Sequence, residues 1–392
     1  MTPDPPVDRR SRLAMLAATV AVPAHAQPDA AGMLLDRAAQ QPPAEALALL
    51  AHVDLATLSP SRRLDVEAAR AGLAIDAALA RTPDDYRLRL QRQLGTIPSV
   101  DQVIVRLDTA LHALHARAAV LFDRLGVTGS TIGGRYARLF RDERFLYADT
   151  DAGRDQAVAD MVRTLAVQRR RVAADVAGVP PFCFDVDVRR LSEEEIAAGK
   201  GGYREPPAPD RRGAYTVDLR RIRDRPSWTL PAVVAHELLP GHMIQLGLES
   251  VATPHPLRAT YAAHFVEGWA THAEQVALEA LPAGAVRAHL GGLHWLIFRA
   301  VRGRVDCGLH HEGWSLDQAR TRLEEWQGVS AYFAPFDSDL ARITADPALR
   351  AAEAVCWLTL NDRSPRSARR RAAWRGRVVR NGRLRLEQLP AA

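Results

Sequence analysis

Two histidines and a glutamate lie close together at residues 236–242, which read His-Glu-Leu-Leu-Pro-Gly-His. When two histidines lie one helical turn apart with a glutamate beside the first, both imidazoles can bind one zinc ion and the glutamate can act as general base. Here the residue four after His236 is Pro240, and the second histidine is His242. The segment therefore predicts a metal site of altered spacing, with His236 and His242 as ligands and Glu237 as base.

The altered spacing requires a break in the helix. On a continuous α-helix His242 would point about 240° away from His236, because each residue turns by about 100°. Pro240 removes the amide that would bond to the carbonyl of His236, and Gly241 can adopt backbone angles closed to other residues. We expect a bulge or break at Pro-Gly to bring both imidazoles to one ion. The alternative is an ordinary helix end with both histidines on the surface.

A second segment, residues 265–274, adds carboxylates. Glu267 follows His242 by 25 residues, a span that allows an antiparallel helix to return and present a third ligand. Glu274 lies two turns further along the same helical face and can orient a ligand histidine through a hydrogen bond. We expect the other nearby histidines to lie on the surface or to make supporting hydrogen bonds rather than to bind metal: His264, His272 and His311.

These two segments resemble the signature segments of a bacterial family of unknown function, DUF885. That family is similar to the gluzincin metallopeptidases, in which two histidines and a distal glutamate bind zinc. The resemblance runs over about residues 180–390, with weaker matches at residues 210–215, 304–310 and 381–384. Two departures stand out: Thr271-His272 replaces the Leu-Tyr of the second family motif, and residues 333–342 lack its Gln-Ala-x-x-Tyr segment. The chain is also shorter than typical members.

The resemblance implies a zinc-dependent hydrolase, with a metallopeptidase acting on short peptides or peptide-like amides as the leading hypothesis. His236, His242 and Glu267 would hold Zn²⁺ and leave a fourth position open for water. His310 is the first candidate for an additional oxyanion donor, by its place in the resembling segment, and Tyr332 is the second. Each could equally satisfy a local hydrogen bond only.

The elements around this site are predicted to be mainly helical. Apolar residues recur every three or four positions over residues 31–175, which is typical of packed amphipathic helices. Residues 182–186 and 214–219 alternate as strands do, so a small sheet is expected just ahead of the metal-binding helix, and helices resume near Leu230. The stretch 214–219 could align a peptide by edge pairing. We predict one large, mainly α-helical domain over residues 27–392, with an N-terminal helical half, 27–178, and a metal-site half, 179–392.

The N-terminus predicts export. Arg9 and Arg10 precede an apolar run over residues 13–22 and an Ala-His-Ala sequence at residues 24–26, which together indicate a secretory signal peptide over residues 1–26, possibly of the twin-arginine type. We therefore expect a periplasmic or secreted protein without a membrane span. Three cysteines far apart in the sequence indicate buried thiols rather than a disulfide framework: Cys183, Cys307 and Cys356.

Positive charge is concentrated near the C-terminus. Residues 361–392 contain ten arginines and two acidic residues, whereas the rest of the chain carries a small negative net charge. That distribution argues against a nucleic-acid-binding protein, although the tail by itself could bind a polyanion. A further alternative is a non-catalytic exported protein that binds a metal or another ligand on the same helical scaffold. The sequence leaves the oligomeric state open.

Overall fold

A computed structural model of the chain describes residues 29–95 and 99–392, and there the protein is mainly α-helical with one three-stranded sheet. The predicted fold class is confirmed. The predicted signal peptide, residues 1–26, lies outside the described residues. Within the described residues no helix is both long enough and apolar enough to cross a membrane.

Amphipathic helices form the N-terminal part of the described chain. Their apolar residues pack inward at the predicted spacing, as Leu107, Leu111, Leu114 and Ala118 do in the long fifth helix. Serine and threonine side chains accept amide hydrogen bonds at several helix starts, which fixes where those helices begin. The helices are α1 Ala30–Ala38, α2 Pro43–Ala51, α3 Pro60–Leu79, α4 Tyr86–Leu94, α5 Val100–Arg124, α6 Ile132–Leu139 and α7 Asp151–Asp175.

The small sheet lies between the two sets of helices. Its elements are β1 Val186–Arg190, α8 Glu193–Ala197, β2 Tyr203–Glu205 and β3 Gly213–Val217. Strand β3 is central, parallel to β1 and antiparallel to β2. The predicted strand at residues 182–186 is wrong in position, because the prolines before it favour a 3₁₀ turn at Pro181–Phe184. The predicted pairing of a peptide with residues 214–219 is also wrong for β3, because both of its edges are already hydrogen-bonded to neighbouring strands.

Helices resume at Leu230, as predicted, and build the remainder of the chain. They are α9 Leu230–Glu237, α10 His242–Ala252, α11 Pro256–Tyr261, α12 His264–Glu279, α13 Val286–His310, α14 Leu316–Trp326, α15 Phe336–Ala345, α16 Leu349–Asp362 and α17 Ala368–Val379. Helix α13 is buried continuously from Leu290 to Gly308 and packs against α5, α12 and α16. The charged residues inside that buried stretch must therefore find partners within the protein.

The cysteine prediction is confirmed. Cys183, Cys307 and Cys356 are all buried free thiols. Burial raises the pKa of each thiol well above its ordinary value, so all three remain protonated small hydrophobic side chains.

Candidate metal centre

The helix carrying the first histidine breaks at the predicted place. Helix α9 ends at Glu237, and α10 begins at His242. Gly241 is required at the break, because a Cβ atom there would lie only 2.0 Å from the carbonyl oxygen of His236. The indole Nε1 of Trp269, on α12, donates to the carbonyl oxygens of Pro240 and Gly241 at 3.1 and 3.3 Å. The break is thus fixed from both α9 and α12.

This local geometry brings the two imidazoles together. The Nε2 atoms of His236 and His242 are 3.2 Å apart, and their rings are nearly perpendicular at 89°. Glu267, in the first turn of α12, places its Oε2 3.4 Å from the Nε2 of His236 and its Oε1 3.4 Å from the Nε2 of His242. His236 is 5% exposed and His242 0%, so the alternative of an ordinary helix end with surface histidines is wrong.

The spacing of the donor atoms fits a zinc ion. Zinc–nitrogen bonds of 2.0–2.1 Å in a tetrahedral arrangement place neighbouring donor atoms about 3.3 Å apart. The distance of 3.2 Å between the two Nε2 atoms agrees with that edge length, and each Nε2 lies 3.4 Å from a different oxygen of Glu267. Glu267 is about a quarter exposed, and the cluster faces a cavity of about 630 Å³. The donor set therefore suits a metal ion that retains an accessible position.

A buried carboxylate lies behind the first histidine. Glu274 is 1% exposed, and its Oε1 is 2.7 Å from the Nδ1 of His236. A carboxylate on the far nitrogen fixes the tautomer and orientation of an imidazole and makes the opposite nitrogen a better metal ligand. Glu274 occupies the orienting position that its spacing from Glu267 predicts.

Sequence reasoning missed Arg299, which also contacts the cluster. One guanidinium nitrogen is 3.2 Å from Glu267 Oε2, and the other is 3.1 Å from His236 Nε2. Arg299 is 8% exposed and supplies the positive charge that the surrounding carboxylates need when no metal is bound. The sequence could have indicated this role, because Arg299 lies among apolar residues of α13 and a buried arginine requires an acidic partner.

The two histidines of the cluster differ in pKa. Burial and Arg299 disfavour the charged imidazole of His236, but contacts with Glu267 and Glu274 outweigh them and raise its pKa to about 9. Burial, together with the positive charge of Arg204, lowers the pKa of His242 to about 4. Burial alone would raise the pKa of Glu267, but hydrogen bonds from the two histidines hold it well below its usual value.

The candidate base, Glu237, lies beside the cluster and lines the same cavity. Arg204, on β2, donates from Nε to Glu237 Oε2 at 2.5 Å. Burial opposes ionisation of Glu237, yet Arg204 and the nearby histidines lower its pKa, so the carboxylate is charged at neutral pH. Arg204 was not identified from the sequence, since the short strand β2 follows two glycines and shows no clear alternation.

The two candidate oxyanion donors are placed differently. Tyr332 lines the cavity with Glu237, and the guanidinium of Arg225 lies 3.3 Å from its ring centroid. His310 lies at the far end of α13, about 16 Å along the helix from Arg299. Its Nε2 is 3.0 Å from the carbonyl oxygen of Ile343, and its ring stacks on Tyr86. The structure does not bring His310 to the cavity.

The remaining histidines lie away from the metal-donor cluster. His272 is buried and bridges Asn361, at 2.6 Å, and Arg375, at 3.0 Å. His264 is fully buried. His311 is exposed, 3.4 Å from Asp101. Within the described residues, the one group of histidine, cysteine and acidic side chains spaced for a metal is that of His236, His242 and Glu267.

Comparison with known proteins places the chain in a family. The family model described as "Bacterial protein of unknown function (DUF885)" matches residues 8–355. A crystal structure of "the putative lipoprotein from Colwellia psychrerythraea" has a TM-score of 0.68 and 22% sequence identity, covering 91% of this chain and 68% of that one. A "putative lipoprotein of unknown function from Shewanella oneidensis" has a TM-score of 0.62 and 14% identity, covering 91% and 72%. No curated protein matches the chain. The protein belongs to the DUF885 family, and the two structures share its fold.

Proposed function

We propose that this DUF885 protein is an exported zinc-dependent hydrolase that cleaves short peptides or peptide-like amides. The observation that carries the proposal is the close approach of donor atoms on His236, His242 and Glu267, beside the ionised carboxylate of Glu237 and an open cavity. Export is supported by the signal-like sequence of residues 1–26 and by the description of two proteins of similar fold as putative lipoproteins.

Each residue of the centre has a defined task in this proposal. His236, His242 and Glu267 would hold the ion, which when bound acidifies water and polarises a carbonyl group. Glu237 accepts a proton at its carboxylate and passes it to the leaving amine, while Arg204 keeps that carboxylate charged and oriented. The hydroxyl of Tyr332 is the protein donor in the cavity that suits a developing oxyanion.

The substitution Glu237→Gln tests the assignment. Glutamine keeps the shape of the side chain and leaves the three metal donors intact, but it cannot accept a proton. We expect zinc content equal to that of the wild type and turnover of a peptide library reduced by about 100-fold or more. Glu45→Gln, at an exposed position on α2, is the matched control and should leave turnover unchanged. Equal turnover in both variants would rule out Glu237 as the base.

The alternative is a non-catalytic exported protein that binds a metal or another ligand. The ion pair between Arg299 and Glu267 favours it, because the guanidinium already neutralises that carboxylate without an ion. In that case the wild type would bind its ligand without turning over any peptide, and Glu237→Gln would change neither property.

A further inference from the structure

The cavity next to the metal centre is strongly basic. Eight arginines line it, against three carboxylates, those of Asp218, Glu237 and Glu267. A cavity that must accept a neutral peptide does not need this charge, and confining so many guanidinium groups costs electrostatic free energy. Any lining arginine that lacks a protein carboxylate is therefore a candidate to bind an anionic group of the ligand.

Most of these arginines are already neutralised by protein carboxylates. Arg302, for example, forms a buried pair with Asp339 at 2.8 Å, and Arg350 is 2.7 Å from Glu353. Across the described ranges, Arg225 and Arg342 are the two cavity arginines that have no carboxylate within 4.0 Å. Among the cavity arginines, these two are therefore the charges that an anionic ligand could pair with.

Arg225 is unusual because it is both buried and incompletely bonded. It is 2% exposed, and its Nη2 donates to the carbonyl oxygen of Asp218 at 2.5 Å. Its Nε and Nη1 have no hydrogen-bond partner among the described residues. The ring of Tyr332 covers one face of the guanidinium at 3.3 Å. Leaving two donors of a buried cation unused is costly, which indicates a partner that comes from outside the protein.

We propose that Arg225, assisted by Arg342 at the cavity mouth, binds a carboxylate of the substrate. The N–H groups of Nε and Nη1 point to different edges of the planar guanidinium, so a carboxylate would bind one of these free donors through a charge-assisted hydrogen bond. Arg342 lies near the end of α15 and is exposed, so it can attract the same group as it enters. If the protein is the proposed hydrolase, the anion site would make it prefer peptides or amides that carry a free carboxylate. This consequence rests on the proposed function.

Two sources of that carboxylate can be distinguished with three probes. The probes are tetra-alanine with a free C-terminus, its C-terminal amide, and an amidated Ala-Ala-Asp-Ala peptide. Binding to the zinc-loaded full chain is measured by calorimetry, and kcat/KM by release of the product amine. A hydrogen bond between charged groups favours binding by about tenfold or more. The affinity and the kcat/KM of one carboxylate peptide should therefore exceed those of the neutral amide by that factor. Preference for the first probe identifies the chain terminus, and preference for the third identifies an acidic side chain.

Substitution of the arginines assigns the preference to them. Arg225→Gln should bring the ratio between carboxylate and amide probes close to one, mainly through a higher KM. Arg342→Gln should reduce this ratio less. Because Arg342 is exposed, its substitution should leave folding intact and keeps the test possible even if Arg225→Gln does not fold. Arg117→Gln, an exposed arginine on α5 outside the cavity, is the control and should keep the full preference. A preference that survives both cavity substitutions would overturn the inference.

The two proposals fail in different ways. Binding of a carboxylate probe that depends on Arg225 or Arg342, without any turnover, would refute the proposed function and retain the anion site. Turnover that does not distinguish the three probes would refute the anion site and retain the hydrolase. If the protein neither binds nor cleaves any of the probes, both are overturned.

Discussion

At the scale of single residues, the candidate centre includes a carboxylate, Glu274, that contacts the ligand His236 but is not itself among the proposed metal ligands. The Oε1 of Glu274 lies 2.7 Å from the Nδ1 of His236, the nitrogen on the far side of the ring from the cluster. We predict that Glu274→Gln weakens zinc affinity by about 10–100-fold, the usual cost of losing such a partner. Competition with a fluorescent chelator measures the change.

The matched control for that substitution is Glu279→Gln. Glu279 lies on the same helix, α12, but is exposed and contacts Gln275 rather than the cluster. Its zinc affinity should equal that of the wild type. A loss of affinity in both variants would indicate general disturbance of α12 rather than a specific role for Glu274.

The protonation of His236 predicts how zinc binding depends on pH. Zinc binds the neutral imidazole, whereas the carboxylates around His236 raise its pKa to about 9 and keep it protonated at neutral pH. A proton must therefore leave when the ion binds, and affinity should decrease about tenfold for each pH unit below 9. His242, whose pKa is about 4, adds no dependence in the neutral range. Zinc titrations at pH 6.5, 7.5 and 8.5 test this, and equal affinities at the three values would contradict it.

At the scale of elements, the break between α9 and α10 determines whether the two histidines meet. Gly241→Ala would place a Cβ atom 2.0 Å from the carbonyl oxygen of His236 and force the helices apart. We expect a loss of about 1–3 kcal/mol in unfolding free energy from overpacking, together with reduced zinc affinity. Gly284→Ala is the control, because its added Cβ meets no atom within 4 Å. Thermal denaturation with and without zinc compares the two, and identical behaviour would show that the break tolerates a side chain.

The sequence predicts local features of these elements better than distant pairings. Pro240 and Gly241 act on their own backbone, so the break could be predicted from them alone. Strand order could not, since whether β3 is central or at an edge depends on pairing with residues far along the chain. Arg204 and Arg299 were missed for a related reason: the carboxylates that they contact come from other elements. His310 was proposed by similarity of sequence, and its distance along α13 from Arg299 could not be judged without knowing which turn faces the cavity.

At the scale of the whole molecule, part of the arginine-rich C-terminal segment belongs to the folded body. Arg385 is 1% exposed and donates to the carbonyl oxygens of Arg92 and Tyr261, which ties the end of the chain to α4 and α11. Arg375 is 5% exposed and contacts His272 on α12. These two charges serve packing and are not available to a polyanion. The same segment thus joins N-terminal helices to the helix that carries Glu267.

At the scale of the whole molecule, the residues of the candidate metal centre come mainly from α9, α10, α12 and α13. These helices supply the three donor atoms, the orienting carboxylate and Arg299, while the sheet adds Arg204 from one side. Because the contributing elements come from residues 203–299, the centre forms only when the C-terminal half has folded.

The most direct test of this account is elemental analysis of the purified protein after incubation with zinc and removal of excess ion. We predict about one zinc ion per chain in the wild type and in Glu237→Gln, and little or none in His236→Ala and Glu267→Ala, because each of the latter removes one of three ligands. Circular dichroism confirms that the variants retain their helices. Absence of zinc from the wild type, or its full retention in His236→Ala and Glu267→Ala, would contradict the assignment of the metal centre.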